Sequence, residues 1–259
     1  MAYRDPPPSY AEATGAVDHA DDVRRRSTNN SATTPVYGSS VTQPIFPAAF
    51  GVYYLSARHY VIGETRHLPL CAVSTHSALS AKPDLVIYNG PSEDTPPLAF
   101  VDHEPFSRSA GITLPARQES RFPASNALLE SVGPFTRMMS FDIETAASGG
   151  AREHFEWRHS SGIEVEGLGG RHSRWKLVRA PLNPITAKKR KHSTAGKEVV
   201  AVWVGPSFFV SRVLRFQFLG SGADGSLGDR WAAMAVASAL TIWNRDRRLG
   251  RRGMAAASV

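Results

Sequence analysis

The chain has 259 residues, 42% apolar and 20% charged, with a formal net charge of +7, which suffices for one sizeable core with residues left over. Its single cysteine, Cys71, excludes an internal disulfide framework, a redox-active cysteine pair and any cysteine-rich zinc site. No stretch reaches the roughly 18 to 20 consecutive apolar residues of a membrane-spanning helix, and the polar, Pro-rich start is unlike a secretory signal, so a soluble cytoplasmic protein is expected.

Residues 1–44 are rich in Ser, Thr, Asn, Pro and charge, with no apolar period that could bury a face. They are predicted to be a disordered tail. The sharp signal within them is Pro6-Pro7-Pro8-Ser9-Tyr10. Prolines preset a polyproline II backbone at low entropic cost, and an aromatic ring follows at a fixed offset, the Pro-Pro-x-Tyr pattern that a WW-domain groove grips. Pro7, Pro8 and Tyr10 are therefore the candidate ligand of a WW-domain protein. The run Arg24-Arg25-Arg26 ahead of Ser27 reads as a solvated charge run.

From Ile45 the texture changes to short runs rich in Val, Ile, Phe, Tyr and Trp, punctuated by Gly, Pro, Asn and Ser. Strands are predicted at 51–55, 60–64, 68–74, 84–89, 98–103, 136–144, 154–159, 162–167, 174–179, 198–204 and 212–219. Several alternate cleanly, placing Met139, Phe141, Ile143, Phe155, Trp157, Ile163, Val165, Trp175, Leu177, Leu214, Phe216 and Phe218 toward a core, and Ser140, Asp142, His154, Glu156 and Arg158 toward water. Many strands with one wet face point to an antiparallel barrel or sandwich.

After the Gly-rich stretch 220–228, Asp229 is placed to cap a helix whose run from Trp231 to Trp243 is interrupted only by Ser238 and Thr241. A helix that is apolar all round must be enclosed, and this one is too short to span a bilayer, so its container is protein. A barrel interior fits, with Arg245, Arg247 and Arg248 emerging at one mouth, where cations oppose the negative end of the helix dipole.

These features resemble the tubby C-terminal-like superfamily, which includes the tubby, LURP-one-related and phospholipid scramblase groups, and in particular its uncharacterised fungal members. The resemblance rests on the many-stranded sequence, on Phe155-Glu156-Trp157-Arg158 followed by a Gly turn and Trp175-Lys176-Leu177, and on the Gly-rich loop feeding a wholly hydrophobic helix. It implies a mainly β fold, a closed antiparallel barrel of about twelve strands around a central hydrophobic C-terminal helix. The barrel would span residues 45–248, leaving 249–259 as a basic, disordered tail. It also implies phosphoinositide binding through basic surface residues, although no stretch carries the family's ligands over one by one. The Pro-Pro-x-Tyr tail resembles those of fungal adaptors that recruit HECT ubiquitin ligases.

The charge excess is local. Residues 1–44 are nearly neutral, whereas Lys188, Lys189, Arg190, Lys191 and Lys197 form one basic patch and Arg245, Arg247, Arg248, Arg251 and Arg252 another. Such patches attract phosphates. Lys188, Lys189, Arg190, Lys191, Arg245, Arg247 and Arg248 are the candidate lipid-headgroup residues. Lys188–Lys191 reads equally as a loop kept soluble by charge, or as a nuclear import signal in a protein otherwise peripheral at a membrane. Nucleic-acid binding is disfavoured because the patches lack interleaved aromatics.

No constellation points to catalysis, a metal or a cofactor, and a non-enzymatic role is expected. Asp102-His103-Glu104 and the pair Asp142, Glu144 read as solvated strand faces. The nine histidines show no His-x-x-x-His spacing. Gly205-Pro206-Ser207 reads as a turn, the 220–228 loop as a hinge, and Cys71 as a small buried hydrophobe.

Overall fold

The computed structural model describes residues 44–256 except 78–79, 104–106, 108, 117–122, 133–137, 170–173, 181–196 and 206–210. Twelve strands follow one another: β1 (Ala49–Ser56), β2 (His59–Gly63), β3 (Pro69–Thr75), β4 (Leu85–Tyr88), β5 (Pro97–His103), β6 (Ala110–Leu114), β7 (Ser125–Ser131), β8 (Met138–Glu144), β9 (Arg152–His159), β10 (Arg174–Arg179), β11 (Glu198–Val204) and β12 (Arg212–Phe218). Each pairs antiparallel with its neighbours in the chain, and β1 pairs with β12 from Ala49↔Gln217 to Tyr53↔Arg212, so the sheet closes into a barrel. Closure removes the free edges that an open sheet of this size would have to protect.

A short helix, α1 (Ile163–Glu166), crosses the outside of the barrel, and α2 (Asp229–Ala256) runs through its interior. From Trp231 to Trp243 every residue of α2 except Ala232 is buried, as an all-round apolar helix requires. No described helix is long and apolar enough to cross a membrane.

The interior is built asymmetrically. The backbone of α2 lies nearest β5, β6 and β8, where inward positions include Ala99 and Ala110, and β7 beside them contributes Ala127. The opposite wall carries the aromatics, with Phe50 stacked on Phe216 (4.9 Å between centroids), Trp175 on Trp203 (6.0 Å), and Trp231 against Phe155 and Phe218. Small residues let the helix press on one wall while large rings fill the other. Its two central hydroxyls are satisfied: Ser238 Oγ accepts from Trp157 Nε1 at 2.8 Å and donates to the Ala235 carbonyl, and Thr241 Oγ1 donates to the Ala237 carbonyl.

Four expectations are corrected. The segment 162–167 is not a strand: Ile163 is 85% exposed, whereas Val165 and Leu168, three apart as helical turns demand, are buried against Val202 and Val204 on the outer face of β11. Strands β6 and β7 were not foreseen. The helix runs through Ala256, so the boundary expected at Arg248 falls inside it. Finally, Asp229 does not cap α2 with its side chain; its carboxylate accepts from the backbone N–H of Ile45 (3.4 Å), tying the helix start to the entry of β1.

The Gly-rich stretch, expected to act as a hinge, is anchored. Ser221 N–H donates to Glu198 Oε1 at 2.7 Å. A Cβ on Gly222 would overlap the Val200 carbonyl oxygen and lie 2.7 Å from the Trp231 ring. Gly228, at φ +86°, makes the turn into α2 that a side chain would strain.

Candidate functional site

Lys188, Lys189, Arg190 and Lys191 lie outside the described residues, as do Pro7, Pro8 and Tyr10. The remaining candidates, Arg245, Arg247 and Arg248, come together where α2 leaves the barrel. Expected as a basic patch at one mouth, each of them is engaged at the rim.

Arg248 donates to Asp84 Oδ1 through two nitrogens, each at 3.2 Å, and to the His76 carbonyl at 2.8 Å. Asp84 is nearly buried, and its other oxygen accepts from the backbone N–H and the ring of His103. One carboxylate thus joins the start of β4, the end of β5 and the C-terminal part of α2. Burial of the ring holds His103 below the ordinary histidine range, outweighing the raising effect of Asp84. Arg247 lies over the rings of Tyr60 (5.4 Å) and Trp243 (5.0 Å) and donates to Tyr60 Oη and to Asn244 Oδ1. A guanidinium stacked on aromatic faces stays charged while losing freedom. Arg245 approaches Met139 Sδ at 3.7 Å.

Around these cations the rim is partly apolar. The Tyr54 ring meets Tyr60 edge-on at 5.8 Å and is half in solvent, its neighbour Leu55 is exposed, and Leu249 of α2 is 54% exposed. The sequence reading missed Tyr54, Leu55, Tyr60 and Asp84. Only the clustering of Tyr53, Tyr54 and Leu55 at a strand end could have signalled an apolar rim.

The carboxylate pairs serve as salt-bridge partners. On β8 and β9, His154 Nδ1 lies 3.0 Å from Asp142 and its Nε2 3.7 Å from Glu156, while Glu156 also accepts from Arg158 and Lys197. Hydrogen bonding to Glu156, with help from Asp142, raises His154 above its ordinary value against the effect of burial. Burial would raise Glu156, but the bonds from His154, Arg158 and Lys197 prevail and hold it at about 2. Glu144 pairs instead with Arg152 and Arg230 and accepts from Ser125. Asp142 and Glu144, read from the sequence as a solvated strand face, are held by different partners, His154 for the first and Arg152 and Arg230 for the second. Among the described residues Asp102 has no ion-pair partner, and no three His, Cys, Asp or Glu side chains are placed to hold a metal. Cys71 is buried within β3.

The other mouth holds a buried charge that the sequence reading did not mark. Glu153 points inward from β9 with 1% of its side chain exposed, and Arg179 grips it with two hydrogen bonds, 2.6 Å from Nε and 3.0 Å from Nη2. Thr145 Oγ1 donates to the same carboxylate. Arg179 also faces Glu198 at 3.5 Å, and Glu198 holds the Gly-rich loop through Ser221. The network joins β9, β10, β11 and the approach to α2.

Comparison of the chain with protein-family models, with curated proteins and with solved structures finds no match.

Proposed function

We propose that the protein is a non-enzymatic binding protein of the tubby C-terminal-like kind, a barrel that docks on anionic lipid or phosphoinositide headgroups. The observation that carries this reading is the rim at the exit of α2, where Arg245, Arg247 and Arg248 stand beside the partly exposed Tyr54, Leu55 and Leu249. Cations seek headgroup phosphates, and aromatic and aliphatic side chains settle at the interface, so the two together suit an acidic bilayer better than either alone. A twelve-stranded barrel around a hydrophobic helix is also the architecture that the family resemblance implies. Lys188–Lys191 supplies the second basic segment.

Co-sedimentation with vesicles tests this reading. The protein is expected to pellet with phosphoinositide-containing vesicles at low salt, to be released at high salt, and to leave neutral vesicles unbound. Each basic side chain near an anionic surface contributes about 1 kcal/mol, so changing Lys188, Lys189, Arg190 and Lys191 to Ala lowers affinity by roughly a thousandfold. Leu55→Ser with Leu249→Ser weakens binding without altering its salt dependence. Equal binding to neutral vesicles, or none to acidic ones, overturns the reading.

A second reading rests on Pro7, Pro8 and Tyr10. In it the chain is an adaptor that presents a WW-domain partner, such as a HECT ubiquitin ligase, with a Pro-Pro-x-Tyr ligand. Tyr10→Ala is expected to abolish capture of a WW domain in a pull-down while the barrel's melting temperature stays unchanged. Undiminished capture by this variant rules the reading out.

A further inference from the structure

Arg247 and Arg248 brace the mouth of the barrel, and other cations at the same end are left to meet a ligand. There β1 turns into β2 in the shortest way: Ser56 pairs with His59, and only Ala57 and Arg58 form the turn. The register slips between Tyr54 and Ser56, so Leu55 is an extra residue pushed outward, 52% exposed beside the half-exposed Tyr54. Arg58 takes φ +69°, and among the described residues it is the only one other than glycine with a left-handed backbone. Such a position favours glycine or asparagine. An arginine there holds a charge at the tip of the hairpin at a cost in backbone energy.

Two further cations flank the tip. Tyr54 N–H donates to the Ser211 carbonyl at 2.7 Å, which sets Arg212, the first residue of β12, beside the hairpin. On the other side the Arg58 carbonyl accepts from the Thr75 N–H at 2.9 Å, and His76, next in the chain, donates its N–H to the Asp84 carbonyl at 2.9 Å. That bond closes the connection that carries the exposed Lys82. Asp84 is occupied by Arg248, and Glu93 by His59. Among the described residues no carboxylate pairs with Arg58, Lys82 or Arg212.

We infer that the β1–β2 tip is the element that enters the bilayer, with Tyr54 and Leu55 at the boundary between headgroups and acyl chains and Arg58, Lys82 and Arg212 on phosphorylated headgroups. The inference rests on the lipid reading and gives it a set of contacts: Arg247 and Arg248 hold the mouth in shape through Tyr60 and Asp84, while three cations outside those bonds meet phosphate. Aromatic rings anchor at that boundary, and each cation near an anionic surface adds affinity. The connection that contains Lys188–Lys191 leaves β10 at Arg179 and enters β11 at Glu198, at the other mouth. Which mouth meets the bilayer therefore separates docking by the tip from docking by that connection.

The test uses the full chain with phosphatidylcholine vesicles that contain or lack phosphatidylinositol bisphosphate. Cys71 is buried and slow to react, so a dye sensitive to its surroundings can be placed on Leu55→Cys. Its emission should shift to the blue when phosphoinositide vesicles are added, whereas the same dye on Thr65→Cys, beyond the other end of β2, should not respond. Each cation contributes about fivefold, so Arg58→Gly should weaken co-sedimentation about fivefold, and its combination with Lys82→Gln and Arg212→Gln roughly a hundredfold. Glycine suits the backbone at φ +69°, so the melting temperature of Arg58→Gly should not fall below the parent's. Should the triple variant fail to fold, Arg58→Gly decides, and Arg58→Lys must keep the parental affinity. Parental binding by Arg58→Gly, or a blue shift on Thr65→Cys with none on Leu55→Cys, overturns the inference and leaves the lipid reading standing. A parent that ignores acidic vesicles overturns both. Inositol hexakisphosphate bound as tightly as the vesicles assigns the three cations to a soluble phosphate, which also overturns the inference.

Discussion

Leu240→Asp is expected to leave the barrel unable to fold. Leu240 is 1% exposed at the centre of α2, enclosed by the strands. The substitution removes about 1.5 to 3 kcal/mol of apolar burial and places a carboxylate inside the apolar core cluster, at a further cost of several kcal/mol. Together these approach the roughly 5 to 15 kcal/mol that separates folded from unfolded domains. The variant should show no cooperative thermal or urea transition and should lose its near-ultraviolet circular dichroism. Leu240→Met, which keeps volume and chemistry, should cost less than about 1.5 kcal/mol and retain the transition. A near-parental melt of Leu240→Asp would mean that the helix is peripheral, contrary to the enclosure described here.

The same enclosure explains which parts of the fold were legible. Where the barrel wall is aromatic, the alternation of large inward and polar outward residues is strong, and the strands around Phe141, Phe155, Trp157, Trp175 and Phe216 were readable directly. On β6 and β7 the alternation is weaker. β6 buries Ala110, Ile112 and Leu114, but its outward Gly111 is a poor strand former; β7 buries Ser125, Ala127 and Leu129 while exposing Leu128. Hydrophobic contrast is therefore weak along both, and both strands escaped notice. α1 misled in the opposite way. Ile163, Glu164, Val165 and Glu166 alternate as a strand would, yet the segment is one helical turn between glycines, and Glu164 is fixed by Lys176 at 2.7 Å.

The candidate site was legible only in composition. That arginines follow the hydrophobic run is plain from residues 245–252. That Arg248 is held by Asp84 and Arg247 by Tyr60 depends on strands more than 160 residues away in sequence. No local pattern encodes such a contact. For the proposed lipid docking the consequence is specific: Arg247 and Arg248 brace the mouth of the barrel, so a test that neutralised them would confound stability with binding. Leu55 and Leu249 are not among the residues described above as pinning those two arginines.

Arg179→Leu is the second substitution with a large expected effect, and its pH dependence identifies the cause. In the parent, burial would raise the Glu153 carboxyl, but the hydrogen bonds from Arg179 and Thr145 prevail and hold it below its ordinary value of 4.5. A carboxyl lowered by folding contributes stability that is fully present above the unfolded value and is lost as pH falls through the folded one. Removing Arg179 leaves an unpaired carboxylate with 1% of its surface exposed, at a cost of about 3 to 5 kcal/mol near neutrality. Burial then acts without its counterweight and raises the carboxyl, so the sign reverses: this variant should gain stability as pH falls from 7 to 5, while the parent does not. The double variant, Arg179→Leu with Glu153→Leu, removes both charges from the interior and should recover most of the loss. Urea unfolding of the three proteins at pH 5 and pH 7 measures all of this. Equal destabilisation of the single and double variants would place the cost in lost packing of the Arg179 side chain, and the absence of a pH reversal would mean that water reaches Glu153 once its partner is gone.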